Sequence, residues 1–288
     1  MTLFFLTSLF ILGTLFGSFA SVVIWRIRTG EGGIATGRSH CPKCHHVLGA
    51  RDLFPIFSWV FLRGRCRFCQ EKISPVYPLL ELATGMLFML SGYFFIDPTL
   101  IFTGNMMECM RLLLFLLVAF VTIVFVFYDI LFMEIPDEVL IPVNILLFVL
   151  LFVTSIGVPL PLFRHFLPFQ NDMFNHLLDI PLLNAMVGAF AIFAFFYLQI
   201  FISHGKWMGG GDLRIALFMG LVGGAKIALL GLFLSYLVGS VIGAGILLST
   251  RNRNTEVPFG PYLALGLYIS LFWYTPIVDW YTKLFVFS

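Results

Sequence analysis

Residues 107–132, MECMRLLLFLLVAFVTIVFVFYDILF, decide the fold class of this chain, because beyond Glu108 and Arg111 they are almost wholly apolar and carry one acid, Asp129, near their end. A helix needs about 20 mostly apolar residues to cross the hydrocarbon core of a bilayer. Similar stretches recur along the 288-residue chain, which is 60% hydrophobic and contains 35 Phe. The composition therefore predicts an all-α, polytopic helix bundle in a lipid bilayer, and it argues against a soluble globular protein.

About eight membrane-spanning helices are predicted from the hydropathy of the chain. The predicted spans are 2–25, 78–96, 107–132, 138–157, 182–203, 212–226, 228–249 and 260–278. The sixth and seventh of these meet at Lys226 and its neighbouring glycines. That junction can be a tight hairpin between two helices or a break in one long helix.

The distribution of Lys and Arg predicts how the chain is oriented, because basic residues are enriched in cytoplasmic loops. Nine of the 17 Lys and Arg residues lie in residues 26–77, directly after the first span. Placing this loop in the cytoplasm puts four more basic residues on the same side: Lys206, Arg214, Arg251 and Arg253. The net charge of +2 gives no sign of a nucleic-acid surface.

Three parts are predicted along the chain: a first transmembrane helix (1–25), a polar cytoplasmic insert (26–77) and a membrane-embedded region (78–288). The insert is too short to build a large hydrophobic core, so its folding requires a further source of stability. The cysteines that it contains are the candidate source.

Two C-x-x-C pairs lie in this insert, and they consist of Cys41, Cys44, Cys66 and Cys69. Four thiolates at this spacing can close a tetrahedral zinc site, which would have no open position for water and would therefore be structural. Disulfides or free thiols are the alternative, but a cytoplasmic loop lies in a reducing compartment. His45 and His46 adjoin the first pair and are further possible ligands.

Two aspartates are the candidate catalytic residues, since ionisable side chains are costly at the edges of membrane helices. Asp129 lies near the end of the third predicted span and Asp212 begins the sixth, so both are expected near the cytoplasmic face. A helix dipole favours an anion at Asp212 but opposes one at Asp129, which makes simple snorkelling a poor explanation of Asp129. Two such carboxylates, if adjacent, can activate water.

Three glycines, Gly209, Gly210 and Gly211, directly precede Asp212. They are predicted to let an extended substrate backbone approach the carboxylate, although a flexible interhelical loop would have the same composition. Asp137 is a rival to Asp129 as the partner of Asp212. It directly precedes the fourth predicted span, however, and is expected to act as its N-cap.

The motifs in this chain resemble those of the type IV prepilin peptidases, a family of intramembrane aspartic proteases. The resemblance rests on the G-x-G-D pattern that ends at Asp212 and on Asp129 with the Ile-Pro-Asp that follows it at 135–137. Further matching segments in order along the chain are Gly17-Ser18-Phe19, Arg38-Ser39-His40, Leu62-Arg63-Gly64-Arg65, Tyr77-Pro78, Glu81-Leu82 and Pro258-Phe259-Gly260-Pro261.

This resemblance implies a bifunctional enzyme of the bacterial inner membrane. It would cut the basic leader of type IV prepilins or type II secretion pseudopilins after a glycine, at the cytoplasmic face. Asp129 and Asp212 would be the catalytic pair, and the four cysteines of the insert would bind zinc. The enzyme would then methylate the new N-terminal residue with S-adenosyl-L-methionine.

A membrane transporter that uses the two aspartates as a proton relay is the alternative function. It explains the acids, but it leaves the cysteine-rich insert without a role, and the chain has no paired inverted halves. A membrane assembly factor that docks a partner through the insert would leave both aspartates idle.

Overall fold

The structure is a computed structural model that describes residues 1–30, 37–156, 180–250 and 257–285. In these ranges it is helical without a strand, apart from two isolated β-bridges in the cysteine-rich insert. The helices are α1 (Thr2–Thr29), α2 (Phe57–Phe61), α3 (Val76–Phe95), α4 (Pro98–Phe102), α5 (Met106–Phe132), α6 (Asp137–Ser155), α7 (Pro181–Ser203), α8 (Asp212–Thr250) and α9 (Gly260–Phe285).

The described ranges contain seven helices long and apolar enough to cross a membrane, namely α1, α3 and α5 to α9. The multi-pass, all-helical prediction is therefore confirmed, with seven described helices over the eight predicted spans. The sixth and seventh predicted spans both lie within α8, whose candidate spanning segment is Asp212–Ile246. No loop separates the two predicted spans, because the interruption is confined to one non-helical residue, Gly224.

The chain reverses direction at Gly224, where φ is 65° and ψ is −178°, a conformation that favours glycine. Before this residue, Gly220 packs against Ala189 of α7. After it, the N–H of Ala225 donates a 2.8 Å hydrogen bond to Oδ1 of Asn184, at the start of α7. Tyr236 then reaches Gln199, near the end of α7. The two arms of α8 therefore run antiparallel, which favours the hairpin over a single broken helix.

Residues 1–127 form one compact unit, in which α1 packs closely against α3. A Cβ atom added to Gly13 would lie 2.7 Å from the Cα of Gly85, and one added to Gly17 would lie 2.6 Å from the Cα of Glu81. Only glycine allows the backbones to approach this closely, as in other membrane helix pairs with small interfacial residues. Glu81 is thereby placed at the base of the cysteine-rich insert.

Residues 128–288 form the second unit, whose main contacts join α8 to α7 and to α9. Small residues again permit close approach, since a Cβ added to Gly188 of α7 would lie 2.8 Å from the Cα of Ala225. On the other side, a Cβ added to Gly231 would lie 3.0 Å from Oγ of Ser270 in α9. The second arm of α8 is therefore held between α7 and α9, and both predicted catalytic aspartates lie in this unit.

Candidate active site and metal centre

The two C-x-x-C pairs form two turns of matching geometry. In the first, the N–H of Cys41 donates to the carbonyl of His46 at 3.0 Å, and the N–H of His45 donates to the carbonyl of Cys41 at 2.9 Å. The second repeats this pattern, because Cys66 and Gln70 form the equivalent bonds at 2.8 and 3.0 Å, with Glu71 in the place of His46. Each turn contains a residue of positive φ, His45 or Gln70. The sequence did not reveal this repeated backbone structure.

The four sulfur atoms of Cys41, Cys44, Cys66 and Cys69 converge, all within 4.8 Å of one another. The Sγ atoms of Cys41 and Cys69 are 3.8 Å apart, and none of these cysteines forms a disulfide. Tetrahedral zinc with bonds of about 2.3 Å separates its sulfur ligands by about 3.8 Å. The cluster therefore fits a metal ion and does not fit the disulfide alternative.

The protonation of Cys41 is also suited to metal binding. Backbone N–H groups of Cys44 and Lys43 point at its sulfur and, with neighbouring thiols, lower the pKa of Cys41 to about 7 despite the opposing effect of burial. Although a backbone hydrogen bond from Glu71 opposes the change, burial and the thiols of the other three cysteines raise the pKa of Cys69 to about 12. Thiolates are the metal-binding form of cysteine. The two candidate histidines lie outside the four-sulfur cluster: the ring of His46 stacks on Phe68 at 3.5 Å between centroids, and the ring of His45 stacks on that of His40.

The insert is anchored by contacts that do not involve the cysteines. Nε1 of Trp59 donates to the carbonyl of Ile73 at 3.1 Å, and the indole covers Gly64, where an added Cβ would lie 2.9 Å from the ring. Oε2 of Glu81, on α3, accepts a 2.6 Å hydrogen bond from the N–H of Ile56. The carboxylate therefore attaches the insert to the membrane helices of the same unit.

Asp129 lies in the last turn of α5 and is only 5% exposed. Its Oδ2 atom accepts a 2.8 Å hydrogen bond from the backbone N–H of Gly260, the first residue of α9. The positive end of a second helix thus faces this carboxylate and offsets the unfavourable dipole of α5. The two aspartates therefore differ less in their helix-dipole environment than the dipole of α5 alone predicts.

Asp212 is the first residue of α8 and is half-buried. The carboxyl group of Asp129 lies near enough to act on it electrostatically. A second contact joins the two segments, since a Cβ added to Gly211 would lie 2.8 Å from Cγ1 of Ile135, three residues past the end of α5. Although 83 positions separate them in the sequence, the structure brings Asp129 and Asp212 together.

The three glycines before Asp212 are not equivalent. Gly209 and Gly210 are exposed, and an added Cβ would meet no atom within 4 Å at either position. Gly211 instead packs against Ile135 and cannot carry a side chain without displacing it. The protein therefore leaves space beside the first two glycines and uses the third to hold Asp212 in place.

Asp137 has a different role from the one predicted. The N-cap of α6 is Pro136 without a side-chain capping bond, so the N-cap prediction for Asp137 is wrong. Asp137 lies one position further on, in the first turn, where its carboxylate forms a 2.6 Å ion pair with Arg214. Nδ2 of Asn144 donates to the carbonyl of that arginine at 3.1 Å. An acid paired in this way is a poor candidate for the partner of Asp212.

Two further residues at this site had no assigned role in the sequence analysis. Gly260 belongs to the quoted Pro-Phe-Gly-Pro segment, but nothing in that pattern indicated that its N–H would meet Asp129. Tyr236 lies close enough to Asp212 for an electrostatic interaction, and its ring packs against Phe259 at 5.2 Å between centroids. An isolated tyrosine in an apolar helix carries no signal in the sequence that would have identified it.

Paired carboxylates at the ends of membrane helices, with a separate four-thiol centre, are the arrangement of an intramembrane aspartic peptidase. A family model for the Bacterial Peptidase A24 N-terminal domain matches residues 11–95, and one for the Type IV leader peptidase family matches residues 112–244. No solved structure matches the chain significantly.

Curated relatives are similar over most of the chain. A prepilin leader peptidase/N-methyltransferase of Bacillus subtilis is 31% identical over 280 residues, which cover 97% of this chain and 98% of that protein. The protein of the same name from Aeromonas salmonicida is 31% identical over 245 residues, covering 85% and 74%. That from Pseudomonas aeruginosa is 31% identical over 297 residues, covering 95% and 92%. The chain belongs to the Type IV leader peptidase family.

Proposed function

We propose that this protein is a prepilin leader peptidase that cuts the basic leader from type IV prepilins or type II secretion pseudopilins, using Asp129 and Asp212. The observation that carries the proposal is the proximity of these two carboxylates at helix ends within one compact unit. The family to which the chain belongs supplies the substrate class.

Hydrolysis at such a pair requires neither a covalent intermediate nor a metal. One carboxylate takes a proton from water, whose oxygen attacks the carbonyl carbon of the scissile peptide bond. The other carboxyl group, in its protonated form, polarises the carbonyl oxygen. Collapse of the tetrahedral intermediate breaks the C–N bond, and a proton passes to the leaving amine. The N–H of Gly260 holds Oδ2 of Asp129 in place during these reaction steps.

The approach of the substrate is assigned to Gly209 and Gly210. Their exposed backbone, with open space on the Cβ side, suits an extended peptide that must lie against Asp212. Gly211 supports this loop through its contact with Ile135. A prepilin has its basic leader directly before an apolar helix, so its cleavage site would reach such a loop at the membrane surface.

The four cysteines are assigned to a structural zinc ion. Cys41, Cys44, Cys66 and Cys69 would all be ligands, and a fully coordinated ion supplies folding energy to the insert without taking part in hydrolysis. We place the insert and the aspartates on the cytoplasmic side of the bacterial inner membrane, because the basic residues are concentrated in 26–77.

Methyl transfer to the new N-terminal residue, with S-adenosyl-L-methionine as donor, is proposed from the names of the relatives alone. The mass of the processed pilin tests it separately. Incubation with the methyl donor is expected to add one methyl group, about 14 Da, to the N-terminal residue of the cleaved product. A cleaved product that remains unmethylated would contradict this half of the proposal and leave the peptidase half intact.

The peptidase proposal is tested by cleavage of a prepilin that has a glycine–phenylalanine junction, with the purified protein in detergent. Asp129→Asn and Asp212→Asn, which preserve the shape of the side chains, are each expected to abolish cleavage. Zinc content and thermal unfolding should match those of the unmodified protein. Cleavage by either variant at the original rate would contradict the proposal. The transporter alternative has no support from the family comparison, and it predicts no cleavage by any of these proteins.

A further inference from the structure

A polar pair links α7 and α8 next to the two aspartates. The hydroxyl of Tyr236 donates a 2.9 Å hydrogen bond to Oε1 of Gln199, and both residues are half-buried. Their neighbours on these helices are mostly apolar, including Phe195 and Phe196. Polar side chains within membrane helices are costly and commonly mark functional positions.

The location of this pair is fixed by a short series of contacts. The Tyr236 ring packs against Phe259 at 5.2 Å between centroids. The next residue, Gly260, donates its N–H to Asp129, and Tyr236 also interacts electrostatically with Asp212. The pair therefore lies at the level of both carboxylates.

The pair has hydrogen-bonding capacity beyond its own bond. The Tyr236 hydroxyl uses its hydrogen on Gln199, which leaves its oxygen able to accept. No hydrogen bond among the described residues uses the two N–H bonds of the Gln199 amide. The pair can therefore both donate to and accept from a third group. A carboxamide next to a hydroxyl has the donor and acceptor set that complements a peptide group.

We propose that Gln199 and Tyr236 form a subsite that binds a backbone amide of the substrate, within a few residues of the bond that is cut. This inference rests on the proposed peptidase function. A substrate segment must leave its helix to reach an aspartate pair, and its backbone N–H and C=O groups then need new partners where little water is present. Recognition of backbone carries no side-chain preference, so the subsite supports unwinding without restricting sequence.

A purely structural role for the hydrogen bond is the competing explanation. However, α7 and α8 already pack closely through Gly188 and Gly220, each of which would clash with backbone atoms of the partner helix if it carried a Cβ. Interhelical hydrogen bonds contribute weakly to association in membranes. The helix pair therefore does not depend on this bond, and a residue of similar size without the polar group can replace either partner.

Steady-state cleavage by Tyr236→Phe and Gln199→Met tests the subsite. Tyr197→Phe, which removes an exposed hydroxyl two residues before Gln199 and on the other side of α7, is the matched control. Loss of one hydrogen bond to substrate is expected to raise KM about threefold to tenfold, with kcat within about twofold of the original. The control and the thermal unfolding of all three variants should be unchanged. An unaltered KM, or a fall in kcat alone, would overturn the proposal.

Ester-containing substrates make the test specific for the backbone. One amide at a time on either side of the glycine–phenylalanine bond is replaced by an ester, which removes the N–H and weakens the carbonyl acceptor. For one of these substrates, the KM of Tyr236→Phe should equal the KM of the unmodified protein. If the KM values of the two proteins differ as much on every ester substrate as on the all-amide substrate, the hydrogen bond has a structural role and the subsite is refuted. Failure of the unmodified protein to cut any substrate would instead refute the peptidase function itself.

Discussion

The backbone N–H of Gly260 donates a 2.8 Å hydrogen bond to Oδ2 of Asp129, which joins the start of α9 to the end of α5. The carboxylate held in this way lies near enough to Asp212 to act on it electrostatically. Tyr236, whose ring packs on Phe259, also interacts with Asp212. A site assembled from three chain segments is therefore held by backbone geometry as well as by side chains.

Gly260→Ala is expected to lower kcat/KM by about tenfold or more, because the new Cβ would lie 2.7 Å from Oδ2 of Asp129 and would displace the carboxylate. Cleavage kinetics are the measurement. Gly243→Ala is the control, since a Cβ at this position in the same unit meets no atom within 4 Å. Equal activity in the two variants would show that the position of Asp129 is not set by this contact.

Asp137→Asn is expected to retain cleavage within about threefold of the original rate. In its ion pair with Arg214, 39% of the arginine side chain and 41% of the aspartate side chain are exposed. Exposed ion pairs contribute little to stability. The kcat of this variant distinguishes Asp137 from Asp129 as the partner of Asp212. A loss of activity as large as that of Asp129→Asn would indicate that Asp137 is also a candidate for the catalytic partner of Asp212.

Gly211→Ala is expected to reduce both activity and thermal stability, because its Cβ would approach within 2.8 Å of Cγ1 of Ile135. Shortening Ile135 to Ala in the same protein should restore part of the loss. The Cβ introduced by Gly209→Ala, by contrast, would meet no atom within 4 Å. This variant should therefore unfold at an unchanged temperature, while its KM for the prepilin rises. A similar fall in stability for both glycine variants would contradict the division of roles within this loop.

Replacement of any of the four clustered cysteines by Ser is expected to remove zinc from the purified protein and to make the insert sensitive to proteolysis. A loop of this size lacks a core of its own and depends on the metal for folding. Elemental analysis and limited proteolysis provide the readouts, with Cys109→Ser as the control outside the cluster. Full zinc content in all four variants would exclude these sulfur atoms as ligands.

The sequence predicted the helical membrane fold because long apolar stretches permit few other structures in a bilayer. It also indicated the four clustered cysteines as candidate metal ligands, since the C-x-x-C spacing brings the two thiols of each pair close. The reversal at Gly224 could not be decided from hydropathy, because a helix break and a hairpin share the same apolar pattern. The contacts of Asn184 with Ala225, at the start of the second arm, and of Gln199 with Tyr236, near its middle, show the direction of this arm.

The candidate site was predictable only in part, because some of its contacts depend on how helices distant in the sequence are placed. Asp129 and Asp212 could be identified because acids are costly in apolar helices. Gly260 acts through a backbone N–H, which every residue except proline possesses, so its role depends entirely on where α9 begins. The pairing of Asp137 with Arg214 likewise depends on how α6 and α8 are placed, and no local pattern specifies that arrangement.

The claim that Asp129 and Asp212 act as one catalytic unit is tested most directly by kcat/KM for Asp129→Asn, Asp212→Asn and the double variant, measured on the same prepilin. Residues that act together are strongly non-additive. We predict that each single variant loses roughly a thousandfold or more and that the double variant loses no more than the worse single one. A double-variant loss equal to the product of the two single losses, or substantial cleavage by Asp129→Asn, would contradict a shared mechanism.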